Sequence, residues 1–290
     1  MGSLRRHLSR PGEGDPTGCV WTVVAAVAAV LAIAAVVITH LVRDVHDVSE
    51  GVDRLVAELG PVSAYTPPAD GAIPADRMEA FLAVRDALVP LLDELERDLG
   101  LLADRPDDEG AWTWVVPGKV QAGFGLLPKL AELARARADA QLAHGIGSGE
   151  YLFLYTTTSY AFLGRSPADG PPYPLFGEEA GRDDHEYDEF EVREARAGQI
   201  ITTTRSWIVP MIDRQTAAVR AAGLAPDDPW RSALETELAA LRSDPWRVPW
   251  EDGVPAPMAS SFEPYLARLE GAYRELCNPL EVELVKPRSE

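Results

Sequence analysis

Cysteine is nearly missing from this chain. The 290 residues hold two, Cys19 and Cys277, which excludes a scaffold built on disulfides and leaves the redox compartment open. Lysine is almost as scarce, at Lys119, Lys129 and Lys286. Arginine supplies the remaining positive charge and alanine is abundant, a pattern that reads as the base composition of a high-GC bacterial genome and not as a site. Positive charge as a whole is short: 27 basic residues stand against 46 acidic ones, for a net charge of −19. Nucleic acid is therefore not an expected partner, because binding it requires phosphates to be neutralised by Lys and Arg. Acidity of this size mostly serves solubility.

Catalytic and metal-binding motifs are missing as well. Of five histidines, only His144 and His185 fall within the expected folded region. Neither forms a His-x-x-Glu-His or Cys-x-x-Cys pattern of the kind that holds zinc. The stretch Gly145-Ile146-Gly147-Ser148-Gly149 has neither dinucleotide-binding spacing nor a Gly-Lys-Ser/Thr ending. Ser148 does not stand in a Gly-x-Ser-x-Gly elbow, so a turn between helices is the expected reading. No residue is assigned as catalytic, cofactor-binding or metal-ligating.

What the sequence does have is one long apolar run. Between Pro16 and Val42 there is no Asp, Glu, Lys or Arg. Its heart, Val20 to Ile38, is Ala, Val, Ile and Leu apart from Trp21 and Thr22. At roughly 1.5 Å per residue this heart spans about 28 Å, close to the hydrocarbon thickness of a bilayer. A transmembrane helix is expected over 19–42, with Trp21 at one interface, Leu31 in its middle and Ile38 near the other end. A cleaved signal peptide fits less well, because the small-x-small pattern Ala32-Ile33-Ala34 lies inside the run. A lipoprotein signal would place its cysteine at the end of the run, and Cys19 is at its beginning. Arg5-Arg6 has poor flanks for a twin-arginine signal. Arg5, Arg6 and Arg10 precede the span, while Arg43 and Arg54 follow it. That bias puts the N-terminus in the cytoplasm and exports the rest.

Beyond the span, Ile38, Leu41, Val45, Val48, Val52, Leu55 and Leu59 recur at alternating steps of three and four, with charged residues between them. This suits a coiled-coil seam, and it suits equally one amphipathic helix packed on its own domain. The first alternative implies a weak homodimer through residues 20–59. The expected organisation is a basic tail over 1–18, the span over 19–42, a juxtamembrane helix over 43–60 and a Pro/Gly-rich linker over 61–74. An all-α domain with long Pro-rich loops then covers 75–285, and a short tail 286–290.

Within that domain, helices are expected over 75–99 with a kink at Pro90, over 111–143 with breaks at Pro117 and Pro128, and over 187–222 around Pro210. Asp228-Pro229 should cap a helix over 229–242, and Ser260 or Ser261 a last one ending near Cys277. Residues 150–163 read as either strand or helix, since Tyr, Phe and Thr favour the former and their neighbours the latter. Val89-Pro90-Leu91-Leu92-Asp93 resembles Val209-Pro210-Met211-Ile212-Asp213, and Pro106-Asp107-Asp108 matches Pro226-Asp227-Asp228; duplication and chance both account for this. Asp228-Pro229-Trp230-Arg231 recurs as Asp244-Pro245-Trp246-Arg247, and both are expected to be capped turns with tryptophan over the edge of the core.

Two clusters invite a chemical reading. Asp183, Asp184, His185, Glu186, Asp188, Glu189 and Glu191 could meet a hard cation, although a solvated loop entering a helix N-terminus explains them too. Thr156–Thr158 and Thr202–Thr204 could line a cleft, yet helix threonines more often bond their own i−4 carbonyls. The resulting expectation is a membrane-anchored envelope protein whose domain is a non-enzymatic interaction or structural module with a protein partner. The alternatives are a tethered enzyme or small-ligand receptor with an inter-helical cleft, and a cation-responsive sensor through 183–191. Full-length protein should remain with the membrane pellet after alkaline carbonate washing. Release into the supernatant, or a mature N-terminus at Ala35 or later, would contradict a retained anchor.

Overall fold

The structure is a computed structural model that describes residues 48–103, 112–175 and 188–284. The expected span over 19–42, with Val20, Trp21, Leu31 and Ile38, lies outside them. Among the described residues there is no strand, and no helix is long and apolar enough to cross a membrane. The all-α expectation therefore holds for this part of the chain.

Helix α2, Ala75–Ala103, carries Met78, Phe81, Leu82, Leu88, Leu92, Leu95 and Leu99 on one face, each at most 2% exposed. This is the spacing that turns an apolar stripe inward. Pro90 sits on the exposed side and does not end the helix. Helix α3, Trp112–Ala143, packs along α2 and is one element where breaks at Pro117 and Pro128 were expected. Lys129 ties the pair together through Asp98 at 2.7 Å and Glu94 at 3.4 Å.

Helix α4, Ser148–Thr156, settles the ambiguous stretch 150–163 as helical. Tyr151, Leu152, Phe153, Leu154 and Tyr155 are all buried, so α4 is an apolar rod enclosed on every side, and strand-like residues are tolerated by packing. It widens into a π-helical turn over Thr157–Phe162. There the hydroxyls of Thr157 and Thr158 donate to the carbonyls of Phe153 at 2.7 Å and Leu154 at 2.6 Å. The first threonine triplet is thus largely satisfied by its own helix.

Helix α5, Glu189–Ala221, begins at Asp188, whose carboxylate accepts from the Phe190 amide, and continues through Pro210. Pro90 and Pro210, the second residues of the two similar pentapeptides, both lie mid-helix on exposed sides. The companion match at 106–108 falls outside the described residues. Helix α6, Pro229–Ser243, is capped by Asp228 with Pro229 in its first turn, as its sequence implies. Trp230 is buried and stacks on Trp250 with ring centres 6.2 Å apart. The second Asp-Pro-Trp-Arg differs: Asp244 accepts from the Trp246 amide, but Trp246 is 65% exposed and does not cover the core.

The last stretch also departs from expectation. Ser260 and Ser261 lie inside α7, Ala256–Phe262, and cap nothing. Pro264 cannot donate a backbone hydrogen bond, so the chain tightens into a 3-10 turn over Glu263–Tyr265. It resumes as α8, Leu266–Ala272, and ends in α9, Asn278–Glu283.

Residues 61–74, expected as a linker, form an ordered strap. A 3-10 turn over Val62–Ala64 is followed by carbonyls that accept from Arg214 at Tyr65 (2.6 Å), Gln215 at Pro68 (2.7 Å) and Trp230 at Ala69 (2.7 Å). The Ile73 amide donates to Ser261 Oγ at 3.0 Å. Side chains from α5, α6 and α7 thus satisfy the strap's backbone, which explains how a Pro/Gly-rich stretch stays in place. Ahead of it, residues 48–59 are helical; this helix is α1.

Gly71 provides a test of the strap. Its φ is +75°, and a Cβ there would stand 2.5 Å from the Trp230 ring. Gly71→Ala is expected to cost about 2–3 kcal/mol, from conformation and overlap together. Gly145→Ala, at φ +61° with nothing within 4 Å of the added carbon, should cost only about 1 kcal/mol. Urea midpoints at unchanged slope measure both. Equal losses would mean that the strap does not press on Trp230.

Candidate functional site

Arg85 occupies a position that the stripe of α2 would give to a leucine, one turn beyond Phe81 and Leu82. It is 3% exposed. A guanidinium in such a place must find both charge and acceptors, and α9 supplies them. The Glu281 carboxylate, also 3% exposed, pairs with Arg85 through Oε1. Its Oε2 accepts from the Tyr151 hydroxyl at 3.0 Å and lies 3.6 Å from Arg137 of α3. Arg137 also donates to the Glu281 carbonyl at 3.1 Å, and Arg85 to the carbonyl of Ala272 at 2.6 Å. Each guanidinium lies over a tyrosine ring of α4: Arg85 is 5.3 Å from the centre of Tyr155, and Arg137 is 6.0 Å from that of Tyr151. Four helices therefore meet at one carboxylate.

Burial alone would lower the Arg85 guanidinium, but the Glu281 charge and the tyrosine hydroxyls outweigh it and hold its pKa well above the ordinary value. Burial pushes the Tyr151 phenol up to about 12, with Arg85 opposing. Burial also raises Tyr155 and Tyr160 and Cys277, so at neutral pH none of these is a ready nucleophile.

The cluster continues through Asn278. Its side-chain oxygen accepts from Tyr155 at 2.9 Å and Tyr160 at 2.8 Å, and its amide nitrogen donates to the Asp169 carbonyl at 3.1 Å. The loop that carries Asp169 is held from the other side by Arg196 of α5. That guanidinium donates to the carbonyls of Ala168 (2.9 Å), Pro171 and Tyr173 (3.2 Å). Gly170 leaves room for it, since a Cβ there would sit 2.7 Å from the guanidinium carbon.

Chemically this assembly is closed. Its acids, bases and hydroxyls face one another, and the adjoining cavity, lined by Arg85, Tyr155, Thr158 and Ser159, measures about 10 Å³. That is room for one water and no substrate. A second buried acid behaves alike. Glu237 accepts from Arg247 at 2.8 Å and from the Trp250 amide at 2.8 Å, which helps hold Trp250 at the left-handed φ of 62°.

Outward features are shallower. Along α5 runs an open groove of about 870 Å³, bordered by Glu194, Ala195, Gly198, Thr202, Thr203 and Trp246. Phe190, near its entrance in sequence, is 72% exposed. A smaller cleft of about 280 Å³ lies between Leu59, Tyr65, Gly147 and Glu150, beside the Arg77–Glu150 pair. Of the sequence candidates, Thr202 and Thr203 do border a groove, and Thr158 borders the small cavity. His144 is exposed at the end of α3, and Ser148 is buried at the start of α4. Asp183, Asp184, His185 and Glu186 lie outside the described residues, while Asp188 serves as the cap of α5. Among the described residues no three His, Cys, Asp or Glu side chains group as a metal site would require.

Sequence reading missed Arg85, Arg137 and Glu281. Their one signal was register: Arg85 stands in step with Met78, Leu82, Leu88 and Leu92, and Glu281 stands between Leu280 and Val282. Glu281→Leu leaves two buried guanidinium groups without their counter-charge and is expected to cost about 3–5 kcal/mol. Glu79→Ala, which breaks the exposed pair with Arg268, should cost under about 1 kcal/mol. Replacing Arg85, Arg137 and Glu281 together with Met, Leu and Leu should recover much of the loss. Equal costs for Glu281→Leu and Glu79→Ala in denaturant titrations would mean that the cluster does not hold the domain. No family model, curated protein or solved structure matches this chain, so its reading rests on its own residues and geometry.

Proposed function

We propose that this chain is a single-pass membrane protein of a bacterial envelope, N-terminus inside, whose helical domain is a non-enzymatic module that binds another protein. The observation that carries the reading is the direction in which the chemistry points. Buried titratable groups are spent on one another around a cavity fit for one water. Among the described residues two large aromatics are exposed instead, Phe190 at 72% and Trp246 at 65%. Exposed tryptophan of this kind is enriched at protein contacts. The uncharged run from Pro16 to Val42 supports the anchor, and the three arginines before it support the orientation.

A second reading, a receptor for a small ligand, is favoured by one specific feature: Thr202 and Thr203 border the α5 groove next to Trp246. A photoreactive residue placed at Trp246 in the full-length chain separates the two. In intact cells the interaction module should give one discrete protein adduct, strongly reduced by an added Gly198→Arg change in the groove. A ligand receptor should give no protein adduct, and a small molecule should co-purify with the native chain by mass spectrometry. That second pattern overturns the proposal.

A further inference from the structure

The loop that carries Trp246 is fastened to α5. Arg205 of that helix donates to the carbonyl of Arg247 at 3.0 Å and to that of Leu241. Arg247 in turn donates to Glu237 at 2.8 Å and to Asp252 at 2.7 Å. The Trp246 amide donates to Asp244 Oδ1 at 2.8 Å. The indole itself lies against Gly198, where a Cβ would stand 3.0 Å from the ring. Trp246 is thus fixed on either side along the backbone and braced on α5, yet its ring faces solvent. Covering such a ring costs little conformational entropy, because its position is already set.

The groove beside it carries charge of one sign. On the open face of α5, Glu191, Glu194, Ala195, Gly198 and Thr202 follow one another at helical spacing and line it. The two carboxylates are exposed, and the other three side chains are small. Arginines of the same stretch are committed elsewhere. Arg193 lies 3.9 Å from Asp169, Arg196 holds the carbonyls of the preceding loop, and Arg205 those of Leu241 and Arg247. Among the described residues no cation pairs with Glu191 or Glu194. Acidic residues in a first helical turn need no explanation by themselves, nor does a lone surface tryptophan. Together they make a trough with an aromatic wall and an uncompensated negative end, which suits a guanidinium or an ammonium.

We infer that the α5 groove receives a helix of the partner protein that carries arginine or lysine beside small residues. The inference rests on the interaction-module reading and names the partner's chemistry. The cation pairs with Glu191 and Glu194, its stem or plane covers Trp246, and small side chains of the incoming helix meet Ala195 and Gly198, where little bulk stands in the way. A second copy of this chain suits the groove poorly, since it brings the same net charge of −19. The segment 176–187 suits it no better, with one arginine against five acids. The charge that turns these away draws a cationic partner from a distance.

Fluorescence anisotropy on the detergent-purified full-length chain tests this. The probe is a labelled alanine-based peptide of about 20 residues, long enough to be helical, with arginine at every fourth position; its twin has glutamate there. The arginine peptide should bind saturably and the glutamate peptide should not. Glu191→Gln with Glu194→Gln should weaken binding roughly three- to tenfold, as the loss of two exposed ion pairs would. Trp246→Ala should weaken it as well. Asp227→Asn with Glu270→Asn removes equal charge from exposed sites elsewhere and should weaken it less than about twofold. Equal weakening by the two pairs, no effect of Trp246→Ala, or no saturable binding overturns the inference. A photoreactive residue at Thr202, which borders the groove, separates it from the reading it rests on. In intact cells, a discrete protein adduct undiminished by Glu191→Gln with Glu194→Gln overturns the cationic partner and leaves the interaction module standing. Groove-dependent binding of the arginine peptide, with no protein adduct in cells, keeps the cationic preference and overturns the module.

Discussion

A carboxylate removed from water between two guanidinium groups fixes the relative positions of everything attached to it. Glu281 joins α9 to α2 through Arg85, to α3 through Arg137 and to α4 through Tyr151. Ion pairs of this kind are not strong sources of net stability, since desolvation consumes most of the attraction. Their effect is selective. An arrangement of the same helices that lacked Glu281 would strand two charges in an apolar interior. The leucine stripe of α2 and the apolar rod of α4 could pack in several registers, and the carboxylate favours one. Asn278, one turn earlier on α9, extends the same constraint to the loop around Asp169.

The proline-rich connections depend on this arrangement and on similar devices. The loop before α5 has little apolar content, yet the Arg196 fork occupies three of its carbonyls. The strap over 61–74 is held by Arg214, Gln215 and Trp230. In both places a long polar side chain from a regular helix reaches an irregular backbone. Loops are costly to bury because their peptide groups need partners, and here arginine, the cation that dominates this composition, supplies many of them. A bias that reads as genomic in the sequence has been put to structural use.

The legible parts of the fold were those set by local rules. The apolar period of α2 and the Asp-Pro opening of α6 could be read because helix periodicity and capping act over a few residues. Where tertiary packing decided, reading stopped short. Residues 150–163 look strand-like one at a time, and only enclosure by the rest of the domain makes them a helix. Trp230 and Trp246 share a tetrapeptide, but nothing local reveals that Trp250 will stack on the first while the second lies open against Gly198. Gly71 fell in the stretch expected as a linker, and both it and Gly170 are clearances, for Trp230 and Arg196. The candidate site was the least legible of all, because its members lie far apart in the chain and each resembles a charged residue that has strayed into an apolar stripe.

The placement of α9 has a consequence for how the chain is made. Arg85 and its carboxylate are separated by 196 positions, so a growing polypeptide exposes the cation long before its counter-ion exists. Helices formed early can associate loosely, but the registered interior cannot lock until the segment around Asn278 to Glu283 has emerged. Long-range closure of this sort slows folding, because the chain must bring distant residues together before their contact rewards it.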